Sequence, residues 1–392
     1  LFLAAVIVQV SSGNKSTSKT SKFNGWYSCS EYTFSGTGSS DAQTAECATY
    51  SAPLCYPGVC EAPEWVDQTV DIFVKRLPAV GSKTATNVWL LQGGPVESQM
   101  ATLYTKLKGA ANVYTMDHRG TGRSTFLDCS AAQAATSGSP GGKIIDPSEV
   151  PSCAQALERK YRDLSSFSTT SAAKDLVTLV AEFSNGKDTI VYSVSYGSLL
   201  AERIMHLDLP KLLVTFWMGS QQLRGQLPIC FRIFLMTKSL YVDVLTSFFT
   251  TYAESTSTSA DGGPFYSELL YYLIAFSEGW ERPQPLMAEM TKRFTNYGIA
   301  SATYAKAPLY CAFSKEKSKA CNKFKHGNYD AQGITYKRDE YWNVSATIPS
   351  QASVLLMSSK LDPQTPHKYA KQLLKSLDGD NKELITFEYS VH

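Results

Sequence analysis

Several things are scarce in this sequence, and each scarcity removes a class of function. Its 392 residues contain only five histidines, and none stands at finger spacing from a cysteine. No two cysteines have the close paired spacing of metal ligands, which argues against a zinc site. Charge of one sign is missing too. Lys+Arg 37 against Asp+Glu 35 leaves a net charge of +2, and without a basic patch nucleic acid is not an expected partner. Long apolar runs are absent apart from the opening Leu1–Val10, LFLAAVIVQV. That run is too short to span a bilayer but suits the apolar core of a secretory leader. No Met or basic lead precedes it, so residues 1–24 read as a truncated signal peptide followed by a Ser/Lys/Thr-rich mobile stretch.

What is present describes a globular chain. Hydrophobic residues make up 43% and charged residues 18%, a composition able to bury a large core. The length suits one large catalytic domain with an insertion, or two ordinary domains. Nine cysteines fit export to an oxidising compartment. They group locally as Cys29 with Cys47, Cys55 with Cys60, Cys129 with Cys153 and Cys311 with Cys321, leaving Cys230 over; connectivity stays open at this level. Cys129 and Cys153 bracket a Gly- and Pro-rich loop with little to order it, and a bridge there is expected to stabilise the fold by about 3 kcal/mol. Asn14-Lys15-Ser16 and Asn343-Val344-Ser345 are N-glycan acceptor sequences, in keeping with export.

No internal repeat is present. Short apolar runs end in turn residues at Asn87–Gln92, Ala111–Asp117, Thr189–Ser193 and Ser353–Met357, with a last one at Leu384–Tyr389. Ala172–Phe183 and Gly197–Leu207 carry apolar residues at helical spacing. This alternation predicts an α/β fold with a doubly wound, mostly parallel sheet. The Phe- and Tyr-rich stretch of residues 223–345 breaks the rhythm and reads as an inserted, mainly helical cap. The core would then comprise residues 25–222 and 346–392.

The chemistry concentrates where strands end. Ser193-Val194-Ser195-Tyr196-Gly197 lies between a strand and a helix and resembles the nucleophile elbow, in which a sharp turn lifts a serine hydroxyl off the sheet. Small neighbours are needed because the turn is crowded; Gly197 keeps one such position and Ser193 replaces the Gly of the other. Leu91-Gln92-Gly93-Gly94-Pro95 ends an earlier strand, where backbone amides could face a developing oxyanion. Gly94 and Tyr196 are the candidate donors. Asp117-His118-Arg119-Gly120-Thr121-Gly122-Arg123-Ser124 completes no dinucleotide fingerprint, and its His118 and Arg119 read as anchors of a tight turn.

Triad order in such folds is Ser, then Asp or Glu, then His. Asp362 follows the strand at Ser353–Met357, where an acid would orient the base, although a turn-capping Asp has the same context. His118, His206 and His326 precede it, and His367 is five residues away on the adjoining helix. His392 remains as the base, after the final strand.

Taken in order, QGGP, DHRGTGRS, SVSYGS and LDPQTP resemble the prolyl and tripeptidyl aminopeptidase family of α/β-hydrolases. The likeness covers roughly residues 25–215 and 345–392, with Val96 standing where relatives carry another Gly. It implies the α/β-hydrolase fold and a secreted serine exopeptidase needing no cofactor or metal. Ser195 would attack the carbonyl, His392 would carry the proton and Asp362 would orient it. The expected partners are peptide substrates, not nucleic acid or membrane once the leader is removed, and a monomer is the expected state. The family also places a helix after the catalytic histidine, so the chain as given is expected to be nearly inactive.

The likeness lapses at Phe216-Trp217-Met218-Gly219. Read from the third base of the Phe codon, these codons yield Leu-Asp-Gly, the string the family carries there. Residues 216–250 therefore read as a frame-shifted stretch, whose removal would take Cys230 with it and leave an even number of cysteines. An esterase using the same triad, and a catalytically inactive relative, are the alternative readings.

Overall fold

The computed structural model describes residues 22–31, 45–91, 97–129, 145–207, 212–217, 266–297, 303–350, 352–362 and 365–388. The expected runs become strands. Asn87–Leu91 forms β4, Asn112–Asp117 β5, Thr189–Ser193 β6, Val354–Ser359 β8 and Lys382–Phe387 β9, with Leu212–Trp217 as β7. Three strands the periodicity did not mark precede them: Tyr27–Cys29 (β1), Ala45–Pro53 (β2) and Thr69–Leu77 (β3). Together they form one sheet in the order β1-β2-β3-β5-β4-β6-β7-β8-β9. The contacts from β1 through β3 to β5 are antiparallel, and those from β5 through β4 to β9 are parallel.

Burial explains why β4 and β5 are apolar on both faces. Every residue of Asn87–Leu91 and Asn112–Asp117 is buried, as expected of strands covered on both sides. Period-two alternation divides β4 between two cores. Trp89 and Leu91 join the larger one, while Val88 and Leu90 pack with Met100 and Tyr104 of α1, Glu97–Lys106. Two buried asparagines pin the opposite end of the sheet. Asn112 Nδ2 donates to Ser82 O (2.8 Å) and to Asn87 Oδ1 (3.2 Å), and Asn87 Nδ2 donates to Asn185 Oδ1 at 2.6 Å.

Three further helices complete this part: α2 (Val150–Tyr161), α3 (Thr169–Phe183) and α4 (Gly197–Met205). The Ser168 hydroxyl caps α3 by accepting from Ser171 N, a pairing that satisfies an otherwise orphaned amide. The described part of the expected cap is helical, with α5 (Glu268–Ile274), a π-helical turn at Ala275–Gly279, α6 (Met287–Tyr297) and α7 (Ala307–Ser314). It has no core of its own. Leu269, Leu270, Leu273, Tyr310 and Phe313 belong to the same buried cluster as Trp89, Tyr114 and Val191 of the sheet. The last helix, α8, spans His367–Ser376 and packs against β8 and β9.

Three cysteine pairs form as grouped: Cys29–Cys47, Cys55–Cys60 and Cys311–Cys321 are disulfides. The fourth pair corrects the expectation of a bridge. Cys129 and Cys153 meet in the core as thiols joined by a hydrogen bond, with no disulfide between them. That hydrogen bond, and then burial, push the Cys153 thiol far above its ordinary range. The thiolate that oxidation requires is therefore disfavoured. Cys230, the loop of residues 255–264, Asn14 and nearly all of the frame-shift stretch lie outside the described residues. Among the described residues no helix is long and apolar enough to cross a membrane.

Candidate active site

The parallel strands bring their C-terminal ends to one edge, where Ser195 and Asp362 follow β6 and β8. At the end of β6 the chain turns at Ser195, which has φ +54°. A residue with a side chain occupies this left-handed region at a cost, and such strain concentrates at functional sites. The turn is held on both sides. Val194 N donates to Leu91 O of β4 (2.9 Å), Gly197 N to Val194 O (2.9 Å) and Ser198 N to Ser195 O (3.0 Å). Ser195 therefore stands at the junction of strand and helix, in the geometry of a nucleophile elbow.

This geometry and the sheet order decide the fold: from β2 onward a single antiparallel strand, β3, adjoins the parallel ones, with β4 and β5 exchanged. The chain has the α/β-hydrolase fold. No protein-family model matches it, and no curated protein does. Acetyl xylan esterase 1 of a Thermoanaerobacterium species is similar at 13% identity, over 94% of this chain and 82% of that one, with a TM-score of 0.40. A bromoperoxidase from Bacillus anthracis is similar at 10% identity, over 88% and 92% of the two chains, with a TM-score of 0.35. So is alpha/beta hydrolase domain-containing protein 10 from mouse, at 10% identity over 85% and 89%, with a TM-score of 0.35.

Tyr196 is the N-cap residue of α4. The first amides of a helix have no intrahelical acceptor and carry the positive end of the helix dipole. The Tyr196 amide is one of these groups. Its phenol is half-buried and pushed up to about 12, chiefly by loss of solvent. Gly94, the other candidate donor, lies outside the described residues. Ser193, at the position of the missing Gly, is fully buried, and its hydroxyl has no hydrogen-bond partner among the described residues.

Asp362 follows β8, two strands from β6 and at the same edge. Neighbouring strands lie about 4.8 Å apart, so the ends of β6 and β8 are roughly 10 Å apart. Asp362 is buried, and its Oδ1 accepts from Thr365 N at 2.8 Å while Oδ2 accepts from the Thr365 hydroxyl. It therefore performs the turn-capping role that the sequence offered as an alternative. This holds its carboxylate at the edge shared with Ser195. His392 lies outside the described residues, so its meeting with Asp362 is not among the described contacts.

The other histidines have local roles. His118, at the end of β5, leans its ring on Tyr196 with centroids 5.6 Å apart, and burial lowers it to about 4 against the opposing pull of Asp117. It is a neutral ring beside the elbow, a proximity the spacing of DHRGTGRS did not reveal. His206 packs on Tyr341 at 5.2 Å. His367, in the first turn of α8, keeps both ring nitrogens shielded and without hydrogen-bond partners among the described residues. Its pKa is lowered by burial and by Lys371 and Lys360.

Arg119 anchors the DHRGTGRS turn as read. Fully buried, it grips both Asp175 oxygens, with Nε at 2.7 Å and Nη2 at 2.6 Å, and donates to the carbonyls of Pro53, Leu54 and Ser166. Gly122, at φ +59°, lies so close to the Asp117 carboxylate that a Cβ would collide with it. Asp117 instead accepts from Arg123 N (2.9 Å) and Nε (3.0 Å).

A second network, unseen in the sequence, clamps α4 to the cap segment. Arg203 Nη1 donates to Asp339 Oδ2 at 2.8 Å and to the Thr170 hydroxyl, and its Nη2 lies 3.6 Å from Glu278 Oε2. The Tyr336 hydroxyl donates to Glu278 Oε1 at 3.0 Å, and Thr169 Oγ1 lies 3.4 Å from the Tyr196 hydroxyl. Arg203 near the C-terminal end of α4 is thus tied to Glu278 and Asp339, and Tyr196 at its start to Thr169 of α3. Partners 27 to 136 residues apart leave no local pattern from which this could have been read.

Proposed function

We propose that the chain is a secreted serine hydrolase, an exopeptidase releasing residues or short peptides from peptide N-termini through an acyl-enzyme. The observation that carries the reading is Ser195 in the left-handed elbow between β6 and α4. Ser195 attacks the substrate carbonyl, and the amides of Tyr196 and Gly94 receive the oxyanion. His392 takes the serine proton and returns it to the leaving amine, while Asp362 fixes the imidazole tautomer. Three disulfides support export, since such bonds persist in oxidising compartments.

An esterase would use the same Ser195, Asp362 and His392 without alteration, and substrate comparison separates the two. The enzyme should cleave chromogenic peptidyl amides with a free N-terminus and be labelled at Ser195 by a fluorophosphonate. Ser195→Ala should abolish labelling and lower the rate by roughly a thousandfold or more. Labelling that survives in this variant overturns the assignment of the nucleophile. Turnover of esters alone establishes the esterase reading.

A further inference from the structure

Asn343 sits in an exposed turn at the end of the cap segment. We propose that it is a site of N-linked glycosylation, carrying an oligosaccharide attached during export. The inference rests on passage through a secretory compartment, for which the three disulfides speak, and is independent of the hydrolase reading. Asn343, Val344 and Ser345 are all exposed, so the whole acceptor tripeptide is open. Asn343 has φ +57°, a left-handed conformation that asparagine tolerates better than most residues. No hydrogen bond occupies its side-chain amide among the described residues.

The turn is hydrogen-bonded although its tip is open. Trp342 N donates to Asp339 O (3.2 Å), and Val344 N donates to Tyr341 O (3.3 Å). Trp342 Nε1 donates to Glu278 O at 2.8 Å, under the Arg338 guanidinium, which lies 3.9 Å from the ring centroid. Asp339 is itself held by Arg203. Beyond the tripeptide, Ala346 is buried, and its carbonyl accepts from Asp378 N at 3.0 Å. A sugar on Nδ2 therefore displaces no packed group. It would also shield two large apolar side chains left in solvent at this turn, Trp342 and Val344.

Position favours the modification as well. The turn packs beside the end of α4 remote from Ser195, where Tyr341 meets His206. A nine-residue helix is about 13 Å long at 1.5 Å per residue, so a glycan there stands away from the catalytic edge. In the transfer, Asn343 Nδ2 attacks the anomeric carbon of an oligosaccharide linked to a lipid pyrophosphate. A C–N bond forms, the C–O bond to the pyrophosphate breaks, and Nδ2 loses one proton. No oxidant or reductant is needed. Ser345 supplies the third-position hydroxyl that the acceptor sequence requires.

The test is secretion of the full chain from a eukaryotic host, followed by peptide-N-glycosidase treatment in heavy-oxygen water. Asn343 should convert to labelled Asp, and the intact protein should gain mobility. Asn343→Gln and Ser345→Ala should each abolish label at this position. An Asp330→Thr variant, which gives the exposed Asn328 an acceptor sequence, reports that the chain met the transferase. A glycan on Asn328 in that variant with none on Asn343 overturns the proposal.

Discussion

Replacing Arg119 by Met tests whether its buried ion pair holds the turn that follows β5. The side chain donates five hydrogen bonds at 2.6 to 3.1 Å, two to Asp175 and three to main-chain carbonyls of Pro53, Leu54 and Ser166. Methionine approximates the stem volume but donates nothing. Asp175 would keep only the Tyr56 hydroxyl at 2.8 Å and would be left buried as an uncompensated charge. Breaking a buried pair in this way costs about 3–5 kcal/mol. The pH dependence has a definite sign. Burial already raises the Asp175 carboxyl, with Arg119 pulling it down; without Arg119 it rises further. A carboxylate raised in the folded state binds more protons there than in the unfolded chain, whose value is near 3.9. Stability of the variant should therefore fall as pH rises above about 4, and its deficit should be smaller at pH 4 than at pH 7. Urea titration monitored by tryptophan fluorescence at both pH values measures this. A further Asp175→Leu change should recover part of the loss, because no charge is then stranded. A deficit below about 1 kcal/mol at pH 7, or one that widens on acidification, refutes the reasoning.

Two other expectations are separable from this one. His118 should remain neutral in the folded protein until the pH approaches 4; because the unfolded chain takes up its proton near 6.5, stability should decline as pH falls through that interval. Two-dimensional NMR of the imidazole resonances measures the titration, and an ordinary midpoint near 6.5 contradicts the burial argument. The thiols of Cys129 and Cys153 should resist iodoacetamide at pH 8 in the folded protein and react once urea is added, as counted by mass spectrometry. Rapid native alkylation of either would show that the core does not suppress the thiolate as described.

The sequence by itself determined the elements whose information is local. Runs such as TIVYS and NVWLL, closed by Gly-, Ser- or Pro-bearing turns, are legible as strands because two-sided burial demands continuous apolar residues. The sharp turn at Ser195 was legible because such a turn between strand and helix admits only small neighbours. The disulfides Cys29–Cys47, Cys55–Cys60 and Cys311–Cys321 join residues already close along the chain. Proximity of Cys129 and Cys153 was legible for the same reason, but their state as thiols depends on the core around them. Tertiary structure alone decided the rest. β2 and β3 carry charged residues within their runs, Glu46 and Asp71 among them, and only pairing with β1 and β5 makes them strands. Whether Asp175 or Asp339 has a cation to meet depends on Arg119 and Arg203, which lie 56 and 136 residues away in sequence. A charge is stabilised in the interior only by what folding brings against it, and no periodicity along the chain encodes that partner.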